Sequence, residues 1–216
     1  MSFELPRDSM EQVAGRMSDQ AADLLTRYGE LVLEASTRVN LVSRASLDRL
    51  ADHFVDAAAA LAVVDAGRGT AVDLGSGGGL PGVVVSVLRP GLRMTLVEAR
   101  RGKAAFLKRV RRELKIVNLE VVRGRLEDLV GRRRFDLALS RALGSVERTL
   151  APSLRLVGSG GRLVLFKGSR WSEEAEAAAQ IAVAEGASIE GTVDVELPGV
   201  GRTTTFVVFH VKHGEC

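Results

Sequence analysis

The chain has a single cysteine, and it is the last residue, Cys216. That scarcity excludes an internal disulfide framework, a cysteine-based metal site and an internal thiol nucleophile. Aromatic residues are 4% of the total, with one tryptophan, Trp171, and one tyrosine, Tyr28. They are too few and too scattered to build a platform on which single-stranded nucleic acid could stack. The three histidines, His53, His210 and His213, have no spacing to nearby acids that makes a metal site, and His53 reads as a structural helix residue. No run approaches the roughly twenty apolar residues that a membrane helix needs. The opening MSFELPRDSMEQ is acidic where a secretory signal would be basic and then apolar, so a cytoplasmic protein is expected.

What is present is the composition of a folded domain: 216 residues, 46% apolar and 26% charged. That length buries one good core. An N-terminal helical region, residues 1–65, and a main domain, residues 66–216, are expected to form one compact unit. The net charge of +3 is unevenly placed. Residues 1–88 carry 7 basic and 12 acidic side chains, residues 89–134 carry 15 and 5, and residues 135–216 carry 8 and 10. A single Arg/Lys-rich helix is as readily a solvated face as an interface. Here the excess spans a helix and its flanking loops in an otherwise acidic chain, which favours a polyanionic partner, most commonly nucleic acid. Arg100, Arg101, Lys103, Lys108, Arg109, Arg111 and Arg112 are the candidates for phosphate contacts, and binding through them should weaken steeply with salt.

Residues 9–36 and 46–64 have helical spacing of apolar positions, with Ser46 a reasonable cap for the second stretch. From residue 70 short apolar runs alternate with amphipathic stretches, the pattern of a parallel sheet wound by helices. The candidate strands are 70–74, 92–97, 119–122, 135–139 and 161–166. Pro81 suits the first turn of a helix. Over 101–114 Phe106, Val110 and Leu114 share one helix face while Lys108, Arg111 and Lys115 share another. A helix at 172–184 precedes two extended segments, 187–196 and 203–211, separated by Pro198, Gly199 and Gly201, which read as a hairpin.

The stretch from Val72 to Gly82 follows the first strand and opens a helix. Its glycines permit positive φ and let a ligand lie against bare backbone, and Glu98, at the end of the second strand, can accept both hydroxyls of a ribose. A nucleoside cofactor is expected. The form Asp73, Gly75, Gly77, Gly79 resembles the first motif of class I S-adenosylmethionine methyltransferases, in which the acid sits near the methionine end of the cofactor. A nicotinamide enzyme usually opens this motif with glycine and offers the helix N-terminus to a pyrophosphate. Methyltransferase sheets of this class also resemble a doubly wound sheet carrying a terminal antiparallel hairpin.

Further residues make the likeness specific: Asn40-Leu41, His53, Asp56, Arg89-Pro90, Lys103, Phe106-Leu107, Arg125 to Glu127, Ser140-Arg141-Ala142 and Lys167-Gly168. In this order and spacing the chain resembles the RsmG/GidB methyltransferases, which modify N7 of a guanine in small-subunit ribosomal RNA. It departs from their usual pattern at Val42, Asp52 and Ala57. The resemblance implies a class I α/β fold preceded by N-terminal helices, with S-adenosylmethionine as cofactor and small-subunit ribosomal RNA or an assembling subunit as partner. It further implies cofactor contacts at Asp73, Gly75, Gly77, Gly79, Leu80 and Glu98, with Leu126 and Glu127 beside the adenine and Arg141 after the fourth strand. No metal is implied, and a monomer is expected.

The guanine N7 implied by the resemblance has a free lone pair, so no general base is needed and no catalytic acid or base is assigned. Pyrimidine C5 methylation would need a cysteine nucleophile. Adenine amino methylation would resemble an Asn/Asp-Pro-Pro-aromatic motif where this chain reads Ser140-Arg141-Ala142-Leu143. A small-molecule or protein methyltransferase, and a non-catalytic RNA-binding protein, are the competing readings.

Overall fold

Runs such as Ala71–Leu74 and Thr95–Glu98 are buried throughout, because helices cover both faces of the strands that contain them. The computed structural model describes residues 2–41, 47–64, 67–168 and 171–212. Val42, Ser46, His213 and Cys216 lie outside the described residues. The strands are β1 (Gly69–Leu74), β2 (Leu92–Glu98), β3 (Leu119–Arg123), β4 (Phe135–Arg141), β5 (Val157–Lys167), β6 (Ala187–Leu197) and β7 (Arg202–Val211). They form one sheet in the order β3-β2-β1-β4-β5-β7-β6. The first five pair in parallel, and β7 is antiparallel to both β5 and β6. The doubly wound sheet and its terminal hairpin are as expected.

The helices are α1 (Arg7–Ala14), α2 (Asp19–Ser36), α3 (Leu50–Ala59), α4 (Gly82–Leu88), α5 (Arg101–Glu113), α6 (Val146–Leu154) and α7 (Trp171–Ala184). Alternation along β1 sends Ala71 into an apolar cluster with α1 to α5, and Val72 and Leu74 into a second cluster with α6 and α7. The N-terminal helices therefore share a core with one face of the sheet. Tyr28 and Phe54 lie in it with ring centroids 5.3 Å apart.

Several boundaries differ from expectation: the second helical stretch is α3 followed by a 3-10 turn, Ala60–Ala62, β4 runs on to Arg141, and two further differences have a visible cause. The first helical stretch is two helices, because Gly15 takes φ 82°, ψ 171°, outside the helical region, and the chain restarts at Ser18, whose side chain accepts the Ala21 N–H. Strand β5 begins four residues earlier than Gly161. Its start carries Gly158, Gly160 and Gly161, which lack the side chains that signal a strand, and a bulge breaks its register with β4.

The register also aligns the strand ends. Leu74 pairs with Val97 on one side and Ser140 on the other. The next residues, Gly75, Glu98 and Arg141, therefore emerge side by side where the strand order reverses, the crevice in which such sheets hold ligands.

Candidate active site at the carboxyl ends of the strands

The loop after β1 is held from below. Asp73 is buried, and its Oδ2 accepts the Gly82 N–H at 3.0 Å while Ser76 Oγ donates to the Asp73 carbonyl. Burial pushes the Asp73 carboxyl up to about 6. Tyr28 reaches across from α2 and donates its hydroxyl to the Gly78 carbonyl at 2.8 Å. Gly79 has φ 105°, and a Cβ there would stand 2.8 Å from both Tyr28 Oη and Val83 Cγ2. Gly77, at φ 57°, has no atom closer than 3.8 Å to a notional Cβ. So Gly79 is glycine because the loop is packed tightly, while Gly77 presents bare backbone to open space.

That space is a cleft of about 640 Å³. Its lining includes Gly75, Gly77, Val97, Glu98, Leu126, Glu127 and Leu143, together with Arg100, Arg125 and Arg148. Glu98 is buried, and its carboxylate takes the N–H groups of Gly77 at 2.9 Å and Arg100 at 2.7 Å. Each oxygen keeps a lone pair for a further donor, such as a ribose hydroxyl. A second cavity of about 180 Å³ adjoins, lined by Tyr28, Val32, Leu41, Leu80 and Arg141, with Gly75, Gly77, Lys103 and Ala142 common to both.

Of the expected cofactor positions, Gly75, Gly77, Glu98, Leu126 and Glu127 face the larger cleft, and Leu80 and Arg141 face the smaller cavity. Asp73 and Gly79 line neither; they shape the loop from within its packing. Arg141 is held by α3. Its Nη1 is 3.2 Å from Asp56 Oδ2 and 3.3 Å from His53 Nδ1, and the other Asp56 oxygen accepts from Thr204 of β7. Burial, then the Arg141 charge, pushes the His53 imidazole down to about 4. It is neutral near pH 7, and Nδ1 can accept from the guanidinium.

The expected phosphate contacts divide. Arg101, Lys108, Arg111 and Arg112 are exposed along α5. Arg109 is instead engaged by Glu34 and Glu113, and Lys103 turns inward to donate to the Leu41 carbonyl at 3.0 Å. Burial lowers the Lys103 pKa. Tyr28, Arg148 and the joining of His53, Asp56 and Arg141 were not legible as a site in the sequence. Tyr28 sits at core spacing with Leu25 and Val32 and reads as packing. Arg148 stands in no motif, and Arg141 lies far along the chain from His53 and Asp56. Among the described residues no group of three or more His, Cys, Asp or Glu is placed to hold a metal ion, and no helix is long and apolar enough to cross a membrane.

Comparison with known proteins bears on this site. A family model described as rRNA small subunit methyltransferase G matches residues 21–197. The chain is 40% identical over 179 residues to the ribosomal RNA small subunit methyltransferase G of Nocardioides sp. (strain ATCC BAA-499 / JS614), covering 82% of this chain and 71% of that protein. Its identity with the protein of the same name from Kineococcus radiotolerans is 33% over 213 residues, covering 98% and 82%. Among solved structures, a ribosomal protein L11 methylase from Lactobacillus delbrueckii subsp. bulgaricus is similar in fold, with TM-score 0.58, 13% identity and 76% and 80% of the two chains covered. A mutant of MtNAS in complex with S-adenosylmethionine is another, with TM-score 0.59, 20% identity and 96% and 84% covered.

Proposed function

The chain belongs to the family of rRNA small subunit methyltransferase G, and from that premise we propose that it methylates N7 of a guanine in 16S ribosomal RNA, with S-adenosylmethionine as donor. The observation that carries this reading is the joining of the two cavities at Gly75, Gly77, Lys103 and Ala142. A nucleoside in the larger one and a base in the smaller one would meet at that junction.

The residues present fit the cofactor. Glu98 offers a carboxylate to the ribose, Leu126, Val97 and Leu143 offer apolar surface to an adenine, and Gly77 leaves the backbone open to the methionine chain. S-adenosylmethionine, when bound, supplies an electrophilic methyl on a sulfonium. The chain's own part is positional. Tyr28 and Asp73 hold the loop, and Asp56 and His53 hold Arg141 at the wall of the smaller cavity. The apolar faces of Val32, Leu41 and Leu80 keep water from the base. Because guanine N7 has a lone pair, no side chain need remove a proton, and alignment of the reacting atoms is the main contribution.

The reading extends to a protein that works as a monomer in the cytoplasm, on 16S RNA or the assembling small subunit. The test is transfer of radiolabelled methyl to purified 16S RNA and to small subunits, with mapping of the labelled nucleotide. N7-methylguanine at one position is the expected product. Label on no RNA, by a protein that binds S-adenosylmethionine, would overturn the proposal in favour of a small-molecule or protein acceptor.

A further inference from the structure

S-adenosylmethionine gives little reason for three arginines around its own cleft. It has no phosphate, its sulfonium is positive, and its one carboxylate belongs to the methionine end, beside the glycine loop. Yet three arginines line that cleft: Arg100 at the start of α5, Arg125 before the 3-10 turn Leu126–Leu129, and Arg148 in α6. All three residues are exposed. Among the described residues none of them has an ion-pair partner. The acids of the cleft form no ion pair with them: neither Glu98 nor Glu127 is ion-paired with a described residue. On α5 the positive charge is partly cancelled, since Arg109 is held by Glu34 and Glu113, and Arg112 lies 3.8 Å from Glu113.

We infer that Arg100, Arg125 and Arg148 form a rim that grips RNA phosphates, so that the RNA backbone crosses the mouth of the cofactor cleft instead of lying along the exposed face of α5. The three come from separate elements around one opening, which suits a strand passing over it better than a ligand held inside. A backbone fixed there sets a neighbouring base over the smaller cavity, where the methyl is delivered. Phosphate contacts of this kind fix register and carry no sequence information. The inference rests on the RNA-substrate reading above.

The experiment measures 16S RNA binding by the full chain over a range of salt concentrations, together with S-adenosylmethionine binding and methyl transfer. It compares the wild type with Arg125→Gln, Arg148→Gln and Arg111→Gln, all at exposed positions. For Arg125→Gln and Arg148→Gln, RNA affinity should fall about five- to tenfold, and the slope of log affinity against log salt should shrink by about 0.7 to 0.9. Cofactor affinity should fall by a smaller factor than RNA affinity, and Arg111→Gln should change RNA binding less than twofold. Unchanged RNA affinity and slope in the two rim variants would overturn the inference, as would a larger loss in Arg111→Gln. If the wild type methylates RNA while the rim variants bind as tightly as it does, the inference alone fails. If the wild type neither binds nor methylates RNA, the functional reading falls and takes the inference with it.

Discussion

Tyr28 is fully buried, and its hydroxyl has one job in this structure, donating to the carbonyl of Gly78. Tyr28→Phe keeps the ring and leaves that carbonyl without its partner. We expect a stability loss of about 1–2 kcal/mol, read by urea unfolding, with a weaker S-adenosylmethionine affinity by calorimetry. Wild-type cofactor affinity in this variant would show that α2 does not hold the loop. His53 and Asp73 make opposite contributions to stability as pH changes. The imidazole falls from 6.5 to about 4 on folding. The folded state therefore binds fewer protons between those values, and the stability His53 contributes above pH 6.5 is lost as pH falls through about 4. The Asp73 carboxyl rises from 3.8 to about 6. Its favourable effect is present below pH 3.8 and is lost as pH rises through about 6. Over the range they share, the two slopes oppose one another. His53→Asn removes one of them, so relative to the wild type the variant should gain on the order of 2 kcal/mol between neutral pH and about pH 4. A stability difference that does not change with pH would show that the histidine does not titrate this way.

At the scale of the element, the loop between β1 and α4 contains glycines with two different duties. Gly79 combines φ 105° with neighbours that would crowd a Cβ on three sides, among them Leu107 Cδ2 at 2.9 Å. Gly79→Ala should cost about 2–4 kcal/mol in thermal or urea unfolding and abolish cofactor binding. Gly77 has positive φ but room, so Gly77→Ala should cost only about 1–2 kcal/mol while still weakening the cofactor, whose backbone contact the methyl group would obstruct. Equal stability losses in the two variants would contradict this division. In the sequence the glycines look alike, because the repeat that marks the loop records neither which of them meets a ligand nor which meets Tyr28. The same limit applies to α5, where spacing separated the buried Phe106 and Val110 from the exposed Lys108 and Arg111. It could not foresee that Glu34, from α2, would occupy Arg109.

Over the whole molecule, one apolar cluster runs from Phe3 through Phe54 and Leu96 to Val208, joining the N-terminal helices to the sheet. Asp56 adds a polar tie, binding Arg141 of β4 and Thr204 of β7 from α3. We therefore expect residues 1–65 and 66–216 to unfold in a single transition, seen as coincident loss of helix signal and Trp171 fluorescence. S-adenosylmethionine at 100 times its Kd should raise the stability of the whole by about 2.7 kcal/mol. Two separated transitions, with the cofactor shifting only one, would show that the helical region is energetically independent.

The sequence by itself determined the class of the fold, the order and approximate positions of its strands and the glycine loop with Glu98 beside it. Those features depend on local periodicity and on backbone freedom, which neighbouring residues along the chain encode. It also carried the separate letters of a second group, His53, Asp56 and Arg141, without their relation. Only the tertiary structure decided that a helix before the sheet would reach the end of β4 and hold its arginine, that Tyr28 would brace Gly78, and that Arg148 would face the cleft. Each of these joins residues distant in the chain. Their contact is set by how the helices pack on the two faces of the sheet, and no periodicity within either partner records it.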